Sequence, residues 1–454
     1  MADFLRHVCV MSEQVNDGKL GLVPCVAMIV GGMIGSAIFS LSGLTMYNAG
    51  PAAIVSWLLA ALVMLIYGLI VAELSSIFPK SGGVYVFPSK ALGKIWGWIS
   101  CWGYIMSNIV AIAFAAIYVS TYLGVSFPAF ADLQVPLAVA AVAVCLVLNM
   151  INFSTAGKIN TILVALLAVT LGIYICVSLF GGSWDASLLV PFFGQGAGGP
   201  TGFLSVVPTA MVGYGSIVAI AFMVSEVRNP NKTVPKAVLI AMIVVVCLYG
   251  LTILATVGLV SSQFLAENPG MRYIPLYAAC FTKLAAFPWL AKVVSIAAVL
   301  ALITTMLVVI ALSSRAIHAA AEDGILPAKL AEVSKTGSPI LPAVIVAIVS
   351  AIVACFPQFT ATIVSFGALF SVITIMINII SLLVARRKNA YVPGNFKAPG
   401  GSVLPVIALA ILVVCNLSDI IGGGWIIWAY TIGVYIVGLI IYKTSRAGRG
   451  QIAA

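Results

Sequence analysis

The chain has 454 residues, of which 63% are hydrophobic and 7% are charged, and its net charge is +10. Soluble globular domains carry about 25% charged residues. The 22 Lys and Arg and 12 Asp and Glu of this chain cannot cover a water-soluble surface of such length. The composition therefore excludes an ordinary soluble enzyme, a disordered protein and a nucleic-acid-binding module. It predicts an all-α polytopic membrane protein embedded in a lipid bilayer.

The cysteines are scattered singly and include no C-x-x-C pair. They are read as small buried side chains and predict neither a disulfide framework nor a zinc site. We expect no metal and no cofactor. The first residues include acidic side chains and lack an apolar core followed by a cleavage site, so they do not resemble a secretory signal peptide.

Apolar runs between polar or Gly- and Pro-rich segments predict twelve transmembrane helices. The intervening loops are too short for a separate catalytic domain, so the function must lie within the helix bundle. In chain order, the predicted spans are 21–47, 51–78, 93–123, 135–151, 159–180, 203–225, 236–260, 286–319, 340–356, 359–385, 402–421 and 424–442.

The distribution of basic residues predicts the orientation of these spans. If the N-terminus is cytoplasmic, only Arg272, Lys283 and Lys292 of the 22 Lys and Arg face outside, which leaves nineteen on the cytoplasmic side. Cytoplasmic loops of membrane proteins are enriched in Lys and Arg. We therefore predict that both termini are cytoplasmic, in a multi-pass protein of the cell (inner or plasma) membrane.

Small residues interrupt the first and sixth spans at matching positions. Residues 31–39 read GGMIGSAIF and residues 211–218 read MVGYGSIV. Such residues also suit close helix packing, but two interrupted spans five helices apart are typical of transporters built from inverted repeats. An unwound helix frees N–H groups that suit a carboxylate and carbonyl groups that suit an ammonium. The pair of breaks therefore predicts a site for an amino acid.

Four motifs in this order resemble the amino acid–polyamine–organocation superfamily of transporters. The resemblance covers the chain from about residue 18 to 445, and each motif has only moderate specificity by itself. The motifs are IGSAIF at 34–39, AEL at 72–74 with FPKSGGVY at 78–85, EVRNPNKTVP at 226–235, and SR at 314–315 with AEDGILP at 321–327.

The resemblance implies a leucine-transporter-type fold with alternating access. In that fold, helices 1–5 and 6–10 form two inverted repeats and two peripheral helices follow. The corresponding segments are an N-terminal tail at 1–20, repeats at 21–181 and 203–388, the last two helices at 402–443, and a C-terminal tail at 444–454.

The resemblance also implies the residues of the substrate site. They belong to spans 1, 3 and 6, and they are Ile34, Gly35, Ser36, Ala37, Asn108, Val212, Tyr214, Gly215 and Ser216. Asn108 has an alternative interpretation as an interhelical packing bond, since an amide in hydrocarbon needs a partner.

Three positions depart from the family pattern. Ala37 stands where the family usually has Gly, Val212 where it often has an aromatic residue, and Val218 where many members have an acidic one. No acidic residue falls near the middle of any span, and a buried cation needs a carboxylate or aromatic partner. The sequence therefore favours a neutral or hydrophobic amino acid over a cationic one.

Four residues are candidates for gating or coupling, and they are Glu73, Lys158, Arg228 and Arg315. Glu73, together with Lys80 and Arg228 or Arg315, is expected to form a network on the cytoplasmic side. Lys158, at the start of span 5, could couple transport to protons. The resemblance, however, places the lysine that serves this role in some family members deeper in the span, near residues 165–167. A sodium site using Thr304 or Thr305 is a third alternative.

The leading interpretation is a secondary transporter that exchanges neutral or hydrophobic amino acids. The alternatives are a proton-coupled symporter, an antiporter of a cationic amino acid or amine, and an amino acid sensor that does not transport. An enzyme is not expected, since no charged catalytic set lies at membrane depth. The expected partners are the amino acid and the bilayer, with no nucleic acid, and a homodimer is an open alternative to a monomer.

Overall fold

The computed structural model describes residues 20–150, 153–334, 337–419 and 425–445. Within these ranges the regular secondary structure is helical, and Leu20 and Val227 form an isolated β-bridge. By length and composition, eight helical segments could cross a membrane: Leu22–Ile77, Lys94–Ser126, Ile162–Phe180, Gly199–Phe222, Pro230–Val257, Pro288–Glu322, Pro357–Arg387 and Trp425–Thr444. The predicted all-α, polytopic class is confirmed.

The first of these segments includes two predicted spans, 21–47 and 51–78, which meet at a short 3-10 turn over Gly50–Ala52. Its α-helices are α1 (Leu22–Met33), α2 (Ser42–Ala49) and α3 (Ala53–Ile77). Three shorter apolar helices coincide with other predicted spans, and they are Gln134–Met150, Ile340–Ala354 and Val403–Leu417.

The remaining helices follow in chain order. They are α4 (Gly83–Ala91), α5 (Lys94–Ser126), α6 (Gln134–Met150), α7 (Phe153–Phe180), α8 (Gly202–Ser205), α9 (Val207–Val212), α10 (Pro230–Val257), α11 (Ser262–Glu267), α12 (Pro275–Lys283), α13 (Pro288–Glu322), α14 (Ile340–Ala354), α15 (Thr360–Arg387), α16 (Val403–Asp419) and α17 (Trp425–Thr444).

Two differences from the predicted bounds have local causes. Helix α10 begins at Pro230, six residues before the predicted start at 236. Proline suits the first helical position, since its missing N–H would have no partner there. Helix α4 lies in a segment predicted as a loop, and the residue before it, Gly82, and its first residue, Gly83, have φ angles of +125° and +46°. Those backbone conformations favour glycine.

The long helices α5, α13 and α15 form the centre of the bundle, and α10 packs along α1 and α3. Large apolar side chains such as Ile162, Ile243 and Trp425 are exposed on the outer surface, which suits contact with lipid. Helices α3, α13 and α15 end together at one end of the bundle, where Lys80, Arg315 and Arg386 lie. We call this end the basic face.

Candidate functional site

The first span is broken in the middle, as its glycines predict. Helix α1 ends at Met33, Ile34 leaves the helical conformation with ψ at 89°, and a π-helix resumes over Ala37–Leu41. The freed N–H of Ser36 donates to the hydroxyl of Thr305 on α13, at 3.0 Å. A Cβ on Gly35 would lie 1.8 Å from that same hydroxyl oxygen. Only glycine therefore allows α13 to approach the break this closely.

The sixth span is also broken. Helix α9 ends at Val212, Gly213 and Tyr214 form a turn, and a 3-10 helix then runs over Gly215–Phe222. Runs of 3-10 helix longer than three or four residues are uncommon, because their hydrogen bonds are poorly aligned. An eight-residue run that forms the last part of a span therefore marks an unusual segment of the fold.

The two breaks lie against each other. The hydroxyl of Ser216 donates to the main-chain carbonyl of Gly32 at 2.8 Å. A Cβ built on Gly213 would lie 3.1 Å from the Cβ of Ala37. The methyl group of Ala37, which a glycine at this position would lack, therefore occupies space between the two broken spans. We call this region the junction.

The predicted site residues differ in their exposure. Ile34, Ala37 and Tyr214 are buried at the junction. Val212 and Gly215 are partly exposed, and a Cβ built on Gly215 would have no neighbouring atom within 4 Å. Gly215 therefore faces open space, unlike the buried residues of the junction.

Asn108 makes an interhelical hydrogen bond. Its amide nitrogen donates to the hydroxyl of Ser313 on α13 at 2.8 Å, and Ser313 in turn donates to the carbonyl of Val309. One turn earlier on α5, the ring of Tyr104 stacks on Phe222 of the 3-10 helix with the centroids 5.3 Å apart. Asn108 therefore makes the interhelical packing bond that was the alternative to a role in substrate binding.

Sequence reasoning missed an aromatic cluster beside the junction, formed by Trp57 of α3, Tyr214 and Tyr249 of α10. The ring centroids of Trp57 and Tyr249 are 5.2 Å apart, and those of Tyr214 and Tyr249 are 5.3 Å apart. The hydroxyl of Tyr249 donates to the carbonyl of Met33 and lies 3.3 Å from that of Gly213. The hydroxyl of a tyrosine inside an apolar run requires a hydrogen-bond partner. That requirement was the sequence signal that could have identified Tyr249.

The expected pairing of Glu73 with Lys80, Arg228 or Arg315 is wrong. Glu73 is fully buried, and both of its oxygens accept from Arg386 at the end of α15, at 2.8 and 2.6 Å. Tyr391 and the N–H of Ala398, which lies 2.7 Å away, donate to the same carboxylate. We call these four residues the Glu73 cluster.

The other candidates at the basic face have separate environments. Arg315 contacts Glu226 at 3.5 Å and the carbonyl of Phe222 at 3.4 Å, so it faces the 3-10 helix of span 6. Lys80 pairs with Glu322 at 3.5 Å. The side chain of Arg228 is exposed, and the main-chain N–H of Arg228 donates to the carbonyl of Leu20.

Tyr391 follows α15 and lies outside the spans. Burial, together with its hydrogen bond to the carboxylate of Glu73, raises its pKa to about 12. Tyr391 therefore remains a donor to Glu73 at neutral pH. The side chain of Lys158 lies outside the described part of α7, so its role in coupling stays a prediction.

Comparisons with known proteins identify the family of the chain. Residues 20–441 match the family model for amino acid permeases. The branched-chain amino acid permease BcaP of Bacillus subtilis is 26% identical over 93% of this chain and 92% of its own length. BcaP of Lactococcus lactis is 28% identical over 84% of this chain and 85% of its own length. The methylthioribose transporter of B. subtilis is 25% identical over 88% of each chain.

The family match spans both broken helices and the basic face. Together with the apolar helices, it confirms the resemblance that the four sequence motifs indicated. The chain therefore belongs to the amino acid permeases of the amino acid–polyamine–organocation superfamily, and it is a multi-pass plasma-membrane transporter of amino acids rather than an enzyme.

Proposed function

We propose that this permease exchanges neutral, apolar amino acids, which bind at the junction of the two breaks. The observation that carries the proposal is the apposition of the breaks through Ser216 and Gly32, and through Ala37 and Gly213. Main-chain N–H groups near Ser36 would receive the substrate carboxylate, and carbonyl groups at the two breaks would receive its ammonium. Backbone groups can serve as ligands at membrane depth only where a helix is broken.

The side chains around the junction support a neutral substrate. Ile34, Ala37, Val212 and Val218, the side chains that the proposed site would present to the substrate, are apolar. Glu73 and Glu226 contact arginines at the basic face. A cationic substrate would require a partner for its charge to offset the loss of water, and the rings of Trp57, Tyr214 and Tyr249 beside the junction already pack against one another. The names of the two BcaP relatives, branched-chain amino acid permeases, favour an apolar substrate side chain.

The proposed architecture is the twelve-span leucine-transporter type, with spans 1–5 and 6–10 as inverted repeats and both termini cytoplasmic. The positive-inside distribution supports this orientation, in which the basic face is cytoplasmic. The 3-10 helix of span 6 then leads from the junction to Glu226 and Arg315 at the cytoplasmic end. Its movement relative to α13 would open and close access from that side.

Exchange is proposed because the positions expected for a coupling lysine, 165–167, carry the apolar residues Ala165, Leu166 and Leu167. A proton-coupled symporter is the alternative, in which Lys158 would be the titrating group.

The test is uptake of radiolabelled L-leucine into proteoliposomes that contain the purified protein. We expect uptake only into vesicles preloaded with neutral amino acids, without an effect of a pH gradient. Uptake into empty vesicles driven by an inward proton gradient would contradict exchange. A panel of unlabelled competitors tests the substrate class: arginine or a diamine that competes better than leucine, isoleucine and valine would contradict a neutral pocket.

A further inference from the structure

Tyr249 lies in the middle of α10 and is fully buried. Its hydroxyl reaches the main-chain carbonyls of two broken spans, since it donates to that of Met33 and lies 3.3 Å from that of Gly213. Met33 is the last residue of α1, and Gly213 is the first residue after α9. One side chain from a continuous helix thus contacts both breaks.

A tyrosine hydroxyl has one proton, so it can donate one full hydrogen bond at a time. A carbonyl at a helix end has no partner further along the helix, and leaving it unpaired in a buried setting is costly. Tyr249 therefore serves two acceptors with a single donor. A small shift of one break relative to the other would decide which carbonyl receives the proton.

The ring of Tyr249 is held firmly. Trp57 packs edge-on against it with an interplanar angle of 87°, and Tyr214 covers another side. Trp57 is itself anchored, because its indole N–H donates to the hydroxyl of Thr45 on α2 at 2.9 Å. The Tyr214 hydroxyl donates to the carbonyl of Trp57 at 3.3 Å. The hydroxyl of Tyr249 therefore keeps its place between the breaks by packing.

We propose that Tyr249 is a positioning residue for transport. Its hydroxyl sets the distance between the break of span 1 and the break of span 6, and it transfers its hydrogen bond from one carbonyl to the other as the breaks move. The inference rests on the proposed function, in which the substrate binds between these breaks. Tyr249 acts through the main chain of Met33 and Gly213 and does not itself touch the substrate.

The experiment compares Tyr249→Phe with Tyr174→Phe in the purified full-length protein. Tyr174 is a matched control, because it is equally buried and its hydroxyl contacts Thr256, also on α10, at 2.8 Å. The Kd for radiolabelled L-leucine is measured by scintillation proximity, and the melting temperature is measured in detergent. Since each variant loses one buried hydrogen bond, we expect similar decreases in melting temperature.

The binding constants distinguish the two variants. We expect the Kd for leucine to rise about tenfold in Tyr249→Phe, because two buried carbonyls at the site lose their donor, and less than about twofold in Tyr174→Phe. Equal losses of affinity in the two variants would show a merely structural role for Tyr249. An unchanged Kd in Tyr249→Phe would overturn the proposal outright.

A third variant separates the hydroxyl from the ring. We expect Tyr249→Leu to lose at least as much affinity as Tyr249→Phe, and a large loss in Tyr249→Leu alone would assign the effect to ring packing and overturn the role of the hydroxyl. If the wild-type protein binds another amino acid of the panel instead of leucine, the proposed substrate class is wrong. The same variants measured with that amino acid then decide the role of Tyr249.

Discussion

The junction and the Glu73 cluster both join distant spans, but they use different interactions. At the junction, neutral hydroxyls donate to main-chain carbonyls, as Ser216 does to Gly32 at 2.8 Å. In the Glu73 cluster, a fully buried carboxylate binds a guanidinium in bidentate geometry at 2.8 and 2.6 Å. The first kind of contact contributes about 0.5–1.5 kcal/mol, whereas removing one partner of a buried ion pair costs about 3–5 kcal/mol.

This difference matches the proposed binding of the substrate at the junction. Contacts around a substrate have to change during each cycle, and neutral hydrogen bonds can be exchanged at low cost. The Glu73 cluster joins α3 to the end of α15 and to the segment that follows it, through Tyr391 and Ala398. We interpret it as a fixed connection. The pair formed by Arg315 and Glu226 is expected to contribute least, because its side chains are 23% and 45% exposed.

The largest effect on stability is expected from Arg386→Met. This variant leaves the buried carboxylate of Glu73 without its cation, and it should lower the free energy of unfolding by about 3–5 kcal/mol. Arg387→Met is the control, since Arg387 is the neighbouring residue and is exposed. Thermal unfolding in detergent measures both, and a similar small change in the two variants would contradict a buried, fixed connection.

The double variant Glu73→Leu with Arg386→Met sharpens this test. Replacing both charges by apolar groups removes the uncompensated carboxylate, and such replacements are often neutral or stabilising. We expect the double variant to recover most of the stability that Arg386→Met loses. A double variant no more stable than Arg386→Met would show that the hydrogen bonds of Glu73 to Tyr391 and Ala398 carry the connection instead.

At the junction, Gly35→Ala should nearly abolish leucine uptake. The new methyl group would lie 1.8 Å from the hydroxyl of Thr305, so α13 and the break must move apart. Overpacking of this kind costs about 1–3 kcal/mol, and we expect uptake per folded molecule to fall at least about tenfold. Uptake in proteoliposomes, normalised to reconstituted protein, measures the loss, and wild-type uptake would refute the close packing.

Gly215→Ala is the matched comparison, with a smaller and more selective effect. No atom lies within 4 Å of the added methyl, so the variant should fold as well as the wild type. If Gly215 faces the substrate, the methyl should reduce leucine uptake more than alanine uptake, by about tenfold in relative terms. Equal effects on leucine and alanine, measured side by side, would place Gly215 outside the substrate pocket.

The smallest effect is expected from Glu226→Gln. Its ion pair with Arg315 is 3.5 Å long and partly exposed, and such pairs contribute about 0–1 kcal/mol. We expect a change of melting temperature that is close to the measurement error and decreases further in high salt. A loss comparable with that of Arg386→Met would show that this pair is as firmly held as the Glu73 cluster.

The break positions could be predicted from the sequence because their cause is local. Gly35 and Ser36, like Gly213 and Gly215, interrupt apolar runs whose length alone identifies membrane spans. The family also followed from local motifs, such as SGGVY at 81–85, in which Gly82 and Gly83 adopt positive φ angles. In lipid, backbone N–H and C=O groups need hydrogen-bond partners, which a continuous apolar helix provides within itself. Composition therefore predicts the spans, and the positions of the glycines predict where those helices break.

The partners of Glu73 and Tyr249 could not be predicted in this way. Arg386 lies 313 residues after Glu73, and Met33 lies 216 residues before Tyr249. Lys80, Arg228 and Arg315 were equally plausible partners for Glu73, because the positive-inside distribution groups many basic residues at one end of the bundle without ordering them.

The sequence by itself therefore determined the membrane class, the presence of long apolar helices, the two breaks and the transporter family. Only the tertiary structure decided that the breaks touch each other, that Tyr249 contacts both, and that Glu73 binds Arg386. The physical reason is that a span forms from its own composition and internal hydrogen bonds. Contacts between spans depend instead on how rigid helices pack, and residues hundreds of positions apart then meet across a few ångströms.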